Sequence, residues 1–161
     1  MRRMGETRVF IELQNSGDPT KRKRVKAIID TGAMVNWLPK PLVRELGLQR
    51  IDTLEVHYAD GRSEQRPVCG PLTMTISGRR TVTDAVCGPP GTSTLVSAVT
   101  LERLDLLVDP VKQCVKPRHP KHPKGLLPVR RAAHTMTPVE VQGQKGKPKL
   151  SLTALKPWPK R

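Results

Sequence analysis

The chain has 161 residues, a formal net charge of +15 and only 2% aromatic residues. This length suits one domain plus an additional segment, with a core built from Val, Ile, Leu, Met and Ala. No stretch approaches the ~18 continuous apolar residues of a membrane helix, and "MRRMGETRVF" lacks the apolar region of a secretory signal, so neither a membrane span nor secretion is expected.

Two strands joined as a hairpin are predicted first. "TRVFIELQ" alternates Val9, Ile11 and Leu13 on one face, which is typical of a half-buried strand. The turn residues and charges of "NSGDPTKRKR" separate this strand from a second one, "VKAIID". The cationic run at 21–24 is interpreted most simply as part of a solvated turn, and a nucleic-acid contact is the less favoured alternative.

A short helix and two further hairpins are predicted next. "PKPLVRELGLQ" predicts the helix, with Pro41 in its first turn. "TLEVHYADGRSEQRPV" predicts a hairpin with Asp60-Gly61 at its tip, because Asp-Gly is a strong hairpin signal. "LTMTISGRRTVTDAVC" predicts another hairpin, which turns at Ser77-Gly78.

The end of the chain divides into a last apolar segment and a basic tail. "TSTLVSAVTLERLDLLVDP" predicts a buried strand, a short helix with Thr100 as its candidate cap, and a final strand. From Lys116 onward the sequence holds 12 Lys/Arg against one acidic residue, and 8 of the 16 prolines. We therefore expect a mostly β domain with one or two short helices at 1–115 and a disordered, Pro-rich tail at 116–161.

The three cysteines give no sign of a metal centre. Cys69, Cys87 and Cys114 are widely spaced and lie outside any Cys-x-x-Cys or Cys/His ligand pattern. We therefore predict no metal and no cofactor. Reduced thiols are typical of a cytoplasmic protein, which is the expected location.

The segment "IIDTGAMVNWLP" carries the most informative chemistry. Asp30 follows two apolar residues and precedes Thr-Gly, and it is either a solvated turn residue or a carboxylate held beside a buried strand. Its surroundings favour the second alternative, because "YADG" and "TLVSAVTLERLDLLVDP" follow downstream. With these motifs, residues 6–115 resemble the retropepsin-like aspartic proteases, in particular the small bacterial members of that group.

The resemblance implies a closed β-barrel, a homodimer and a peptide or protein substrate. It also implies four groups of site residues: the catalytic Asp30; the active-site loop Thr31, Gly32 and Ala33; the flap Tyr58, Ala59, Asp60, Gly61 and Arg62; and the supporting Leu95, Val96 and Ser97. Ser97 stands where the family pattern has glycine, which allows close backbone approach.

The chemistry of peptide hydrolysis supports the same assignment. Two carboxylates held close together share one proton, so the pair supplies both a general base for water and an acid for the leaving nitrogen. The sequence contains one Asp-Thr-Gly triplet, and about 110 residues are too few for two such lobes. A two-fold dimer would bring a second copy of Asp30 to the site. An aspartic endopeptidase is therefore the predicted function.

Two alternatives stay open. The first is a peptide-binding module on the same fold without catalysis, with Ser97 as a symptom of lost activity. The second is binding of nucleic acid or an acidic protein through the basic tail, which is compatible with either reading. The intact "DTGA" favours the enzyme. Trp37 is interpreted as a packing residue and His57 as part of the outer face of a strand.

Overall fold

The computed structural model describes residues 6–127, and the predicted disorder of the tail beyond 127 lies outside the described residues. The elements in chain order are β1 (Thr7–Asn15), β2 (Arg22–Asp30), β3 (Trp37–Pro39), α1 (Lys40–Glu45), β4 (Gln49–His57), β5 (Ser63–Ile76), β6 (Arg79–Gly88), β7 (Leu95–Ser97), α2 (Ala98–Arg103), β8 (Leu106–Asp109) and β9 (Cys114–Pro117).

Six strands close into a barrel. Their order is β1-β2-β7-β3-β6-β5, and pairing of β5 with β1 completes the ring. β4 lies outside the ring and pairs with β5, while β8 and β9 form a separate two-stranded sheet. The predicted closed, mostly β fold with one or two short helices is therefore confirmed.

An aliphatic core fills the barrel. Alternation places Ile11 and Leu13 of β1 inside, together with Leu72 and Met74 of β5, and all four are almost completely buried. Leu38 of β3 is also fully buried. Burial of a side chain of this size stabilises the fold by about 1.5–3 kcal/mol, which lets a chain with so few aromatic residues hold a barrel.

The first hairpin follows the predicted pattern, but its cationic run does not. β1 and β2 pair antiparallel from Thr7 opposite Ile29 to Gln14 opposite Arg22. Residues 22–24 belong to β2, so the interpretation of 21–24 as a solvated turn is wrong for all but Lys21. Their partners in β1 are Gln14, Leu13 and Glu12, and the strand pairing extends through all three. Because side chains alternate along a strand, Arg22 and Arg24 share the outer side of β2.

Local signals place the remaining turns and helices. Pro41 lies in the first turn of α1 as predicted. Ser77 and Gly78 both have positive φ, at 50° and 76°, which is the conformation that a two-residue hairpin turn requires. The cap of α2 is Ser97 instead of Thr100, because the Ser97 side chain accepts a hydrogen bond from the Thr100 backbone N–H.

A buried ion pair fastens the segment that contains β8 and β9 to the barrel. Arg79 and Asp105 are 3% and 1% exposed and lie 2.9 Å apart. The Arg79 guanidinium also donates to the carbonyl oxygens of His119 and His122. The boundary expected after residue 115 falls inside β9, and the compact unit continues to Leu127.

The hydrogen bonds around Asp105 keep its carboxyl group ionised. Burial by itself would raise its pKa, but bonds from His119, Arg79 and the Leu126 backbone N–H outweigh burial and lower the pKa to about 2. A charge buried with several donors is stable only while all of them stay in place. The pair therefore couples β6 to residues 119–126.

Two further observations bear on the expected surroundings of the protein. Cys69, Cys87 and Cys114 are free thiols, and burial raises the pKa of the Cys69 thiol. Over residues 6–127, neither helix has the length and apolar character needed to cross a bilayer.

Candidate active site

Asp30 lies at the end of a strand in the middle of the barrel wall. β2 pairs antiparallel with β1 on one side and parallel with β7 on the other, where Asp30 stands opposite Ser97. Ile29 points into the core and is 7% exposed. The apolar residues before Asp30 thus anchor the strand, and the carboxylate emerges at its end, half-buried.

A tight turn orients the carboxylate. Asp30 Oδ1 accepts a hydrogen bond from the Gly32 backbone N–H at 2.9 Å, and the Ala33 N–H donates to the Asp30 carbonyl oxygen at 3.2 Å. Such a side-chain turn is a common use of aspartate where a strand ends. One carboxylate oxygen is therefore fixed by the chain itself, and the residue sits at the edge of an open groove.

The turn is tied to the segment containing β7 and α2. Ala33 accepts a hydrogen bond from the Ala98 N–H at 3.0 Å. Asn36, which is 3% exposed, accepts from the Ser97 N–H at 3.0 Å and from the Thr100 hydroxyl at 2.8 Å. One segment far downstream in the sequence, residues 97–100, therefore holds the aspartate loop at both Ala33 and Asn36.

Asn36 also reaches the opposite strand. Its amide nitrogen donates to the Thr83 hydroxyl at 3.1 Å and to the Asp84 carbonyl at 2.9 Å. Both lone pairs and both N–H groups of this buried amide are thereby satisfied. Sequence reasoning missed Asn36, and the one available signal was a single amide within the apolar run "MVNWLP".

Ser97 fits its position without strain. Its φ is −77° and its ψ is 160°, an extended conformation open to any residue. The side chain is 1% exposed and caps α2 through the Thr100 N–H. The backbone at this position therefore does not require glycine, and the departure from the family pattern gives no geometric reason to expect lost activity.

A groove of about 710 Å³ opens above Asp30. It brings six of the sequence-predicted residues together, namely Asp30, Gly32, Ala33, Tyr58, Ala59 and Leu95. Six others do not line it: Thr31, Asp60, Gly61, Arg62, Val96 and Ser97. Sequence reasoning missed several of its apolar walls, including Met34, Val35, Leu54 and Val56, and it placed His57 on the outer face although His57 lines the groove.

The predicted flap is the turn between β4 and β5. The Tyr58 N–H donates to the Arg62 carbonyl and the Gly61 N–H donates to the Tyr58 carbonyl, both at 2.9 Å. Asp60 pairs with the Arg62 side chain at 2.7 Å. Gly61 has a φ of 84°, which favours glycine at the tip. Local contacts thus shape the turn, and its tip stays exposed.

Trp37 lines the edge of the groove and contacts the predicted flap. Its ring lies 6.3 Å from the Tyr58 ring, centroid to centroid, in an edge-to-face arrangement. The indole N–H donates to the Thr92 hydroxyl at 3.0 Å, and a Cβ on Gly88 would lie only 2.0 Å from that nitrogen. Glycine at 88 therefore makes room for the indole, which packs at the edge of the groove.

A comparison with known protein families identifies the class of protein. The family model described as aspartyl protease matches residues 15–96, about half of the chain, so the protein belongs to the aspartyl protease family. This confirms the predicted retropepsin-like aspartic protease class. The matched range includes Asp30, Asn36, the flap and the first residues of β7.

Among solved structures, the chain is similar to the EIAV protease complexed with the inhibitor HBY-793. The two share 16% sequence identity with a TM-score of 0.46, and the match covers 60% of this chain and 86% of that one. No curated protein matches the chain.

Proposed function

We propose that the protein is an aspartic endopeptidase in which two Asp30 carboxylates, one from each subunit of a homodimer, activate the attacking water. The observation that carries this proposal is the position of Asp30, at the end of a core-anchored strand with one oxygen held by Gly32 at the edge of a groove. A family of aspartyl proteases supplies the reaction class. Peptides and unfolded proteins are the proposed substrates.

The chemistry requires a second carboxylate close to the first. Two carboxylates in contact share a proton, because both cannot ionise at that separation. One then accepts a proton from water while the other protonates the peptide carbonyl or the departing nitrogen. Since the sequence offers one Asp-Thr-Gly triplet, the partner is Asp30 of a second copy.

The surface beside Asp30 supports this arrangement. Thr31 and Gly32 are exposed, and the Met34 side chain is 72% exposed. A Cβ on Gly32 would meet only Asp30 Oδ1, at 3.4 Å, within the described protomer. Space for a side chain therefore exists in one protomer, and in this proposal the substrate or the partner loop makes glycine necessary. Thr31 is proposed to bond across the two-fold axis.

The flap residues Tyr58 to Arg62 are proposed to close over the bound peptide. The Tyr58–Trp37 contact supports a closed position of the turn over the groove. The supporting residues Leu95, Val96 and Ser97 hold β2 through the parallel pairing that ends at Asp30. We further propose a cytoplasmic location on the basis of the three free thiols. Contact of the basic tail with nucleic acid or acidic proteins stays a prediction.

The decisive experiment compares wild type with Asp30→Asn on an unfolded protein substrate. Asparagine keeps the size of the side chain but cannot share the proton, so the cleavage rate should fall by at least about 10³-fold. Asp52→Asn, a substitution at an exposed aspartate of β4, is the matched control and should cleave normally. Undiminished cleavage by Asp30→Asn would refute the assignment.

Mixing the two proteins tests whether the site is shared. After subunit exchange in an equal mixture, about one quarter of the dimers carry Asp30 on both sides, so activity should fall to about that fraction of an equal total amount of wild type. Independent active sites would retain about half. Sedimentation velocity on the same samples reports whether the dimer forms at the assay concentration.

A further inference from the structure

The outer face of the first hairpin carries a row of unpaired cations. On β2, Arg22, Arg24 and Lys26 lie two residues apart on one side of the strand and are exposed. None of the three lies within 4.0 Å of a carboxylate in residues 6–127. Two other cations of the region, Lys21 and Lys23, pair with Asp18 and Glu45. The three cations of the outer row therefore differ from Lys21 and Lys23, because their charges have no carboxylate partner in residues 6–127.

An exposed phenylalanine lies within this row. Phe10 is the single phenylalanine of the chain, yet it is 58% exposed, whereas the core is aliphatic. The Arg24 guanidinium carbon lies 4.7 Å and the Lys26 Nζ lies 6.0 Å from the centre of its ring. A ring held between cations keeps a defined orientation on the surface. The face thus offers a π surface and positive charge in one place.

The face continues onto the neighbouring strands. Glu12 stands opposite Arg24 across β1 and β2, and Thr75 of β5 stands opposite both Glu12 and Arg80 of β6. Arg80 is a fourth exposed cation without a carboxylate partner in the described part of the chain. Two shallow depressions of about 410 and 380 Å³ adjoin Arg24 and share Glu12 and Thr75 in their walls.

We propose that this outer face, formed by Phe10, Arg22, Arg24, Lys26 and Arg80, binds single-stranded nucleic acid. Cations that follow a strand attract successive phosphates, and an exposed aromatic ring stacks on an unpaired base. Arg guanidinium planes, such as that of Arg24, also stack on bases. An acidic peptide would use the charges but not the ring, and the bases of a duplex are paired and stacked on one another, so they would not be free to stack on a ring on the outside of a barrel.

Glu12 gives the proposal a distinctive signature. Glu12 is the one carboxylate in this cross-strand row. The Arg24 guanidinium opposite Glu12 stacks on the Phe10 ring and forms no ion pair with the Glu12 carboxylate. A negative charge in the path of a phosphate backbone opposes binding. The face therefore binds nucleic acid less tightly than its cations alone would allow, and neutralising Glu12 should strengthen the interaction.

The test measures binding of the full chain to a fluorescent oligothymidylate by anisotropy over a series of salt concentrations. Replacing Arg22, Arg24 and Lys26 with Ser should reduce the slope of log K against log salt by about 2, at about 0.7 per phosphate contact. The charge-matched control replaces Lys145, Lys147 and Lys149 of the tail with Ser. Equal effects of the two triple substitutions would overturn the proposal, because binding would then follow net charge alone.

Substitutions at Phe10 separate stacking from charge. Phe10→Leu keeps an apolar side chain but removes the π surface, and it should weaken binding by about 5- to 150-fold. Phe10→Tyr keeps the ring and should bind as wild type does, while Glu12→Gln should bind more tightly. Equal binding by Phe10→Leu and wild type would overturn the proposal, even if Glu12→Gln binds more tightly.

Competitors distinguish the chemical source of the negative charge. Polyglutamate and phosphatidylserine vesicles are therefore added as competitors at equal charge concentration. If either displaces the oligonucleotide, and if Phe10→Leu weakens binding of that competitor as much as binding of the oligonucleotide, the face would be assigned to an acidic peptide or a membrane and the proposal would be overturned. Cleavage of a peptide substrate should be unchanged in all these variants, because the face lies outside the groove above Asp30. This readout keeps failure here separate from failure of the proposed protease activity.

Discussion

Two buried polar centres fasten late segments of the chain to the barrel, one neutral and one charged. Asn36 joins the aspartate loop to Ser97 and to β6 through four hydrogen bonds without a formal charge. Arg79 joins β6 to Asp105 through an ion pair, and it donates hydrogen bonds to the carbonyl oxygens of His119 and His122. Both side chains are 3% exposed.

The difference lies in what each centre loses when one partner is removed. A buried amide that loses its partners leaves neutral groups unsatisfied, which costs about 1–3 kcal/mol for each group. Removing one member of a buried ion pair leaves a charge without compensation, and the cost is about 3–5 kcal/mol. The neutral centre lies beside the candidate catalytic residue, and the charged one lies where the compact unit ends. Stability and activity should therefore respond differently to the two.

The largest effect is expected from truncation. A chain ending at Val115 loses half of β9 and both histidine carbonyls that bind Arg79, so it should fail to fold cooperatively. A chain ending at Leu127 keeps every partner of the charged centre and should unfold as the full chain does. Urea unfolding followed by circular dichroism distinguishes the two. Cooperative folding of the shorter chain would show that residues 116–127 are dispensable for folding.

Arg79→Met is the next largest perturbation. It leaves the Asp105 carboxylate buried without its cation, and the free energy of unfolding should fall by about 3–5 kcal/mol. Arg80→Met, at the neighbouring exposed position, is the matched control and should change stability by less than about 0.5 kcal/mol. Adding Asp105→Asn to Arg79→Met should restore part of the loss, because asparagine removes the charge, keeps an acceptor for the Leu126 N–H and tolerates the φ of 54° at this position. A double variant less stable than Arg79→Met would contradict the account of an uncompensated charge.

Asn36→Leu should have a smaller effect on stability and a larger one on activity. It leaves the Ser97 N–H unsatisfied, at a cost of about 1–3 kcal/mol, whereas the Asp84 carbonyl keeps a hydrogen bond from the Thr83 hydroxyl. The peptide cleavage rate, measured where the variant is fully folded, should still fall because the aspartate loop loses its support. Gln65→Leu, at an exposed amide of β5, serves as the control. Equal loss of activity in Arg79→Met would remove the distinction between the centres.

Of the two polar centres, only the charged one around Arg79 and Asp105 should become less stabilising in acid. The pKa of Asp105 is lowered to about 2 in the fold, whereas the unfolded chain has a value of about 3.9. The ionised form therefore contributes stability that is fully present above about pH 5 and is lost as the pH falls towards 2. Urea midpoints between about pH 6 and pH 2.5 should fall less steeply in Arg79→Met than in Asn36→Leu. If the urea midpoints of the two variants fall in parallel with pH, the acid sensitivity would arise from groups other than Asp105.

The elements built from local signals were predictable from the sequence. The alternation of Val9, Ile11 and Leu13 predicted β1, and Asp60-Gly61 predicted the β4–β5 turn. Asp-Thr-Gly after two isoleucines predicted where a buried strand ends and the chain turns. Each signal lies within a few residues of the structure that it determines, so a single sequence contains it.

The two polar centres were not predictable because their partners are distant in sequence. Asn36 and Arg79 each look like an ordinary polar residue until the strands that face them are known. Arg79 binds main-chain carbonyls at His119 and His122, and such acceptors occur at every residue and leave no compositional signal. The composition after Lys116 predicted disorder for the same reason. Residues between 118 and 126 instead form hydrogen bonds with Arg79 and Asp105, which the prolines and cations of this segment do not indicate.

The parallel pairing of β2 with β7 also determines when the site can exist during synthesis. Asp30 leaves the ribosome well before Ser97, and the bond from Ser97 to Asn36 spans 61 residues of chain. Contacts of such sequence separation form late, because the loop between them must first close. Until Ser97 has followed, a nascent chain therefore carries its candidate catalytic carboxylate without the frame that orients it.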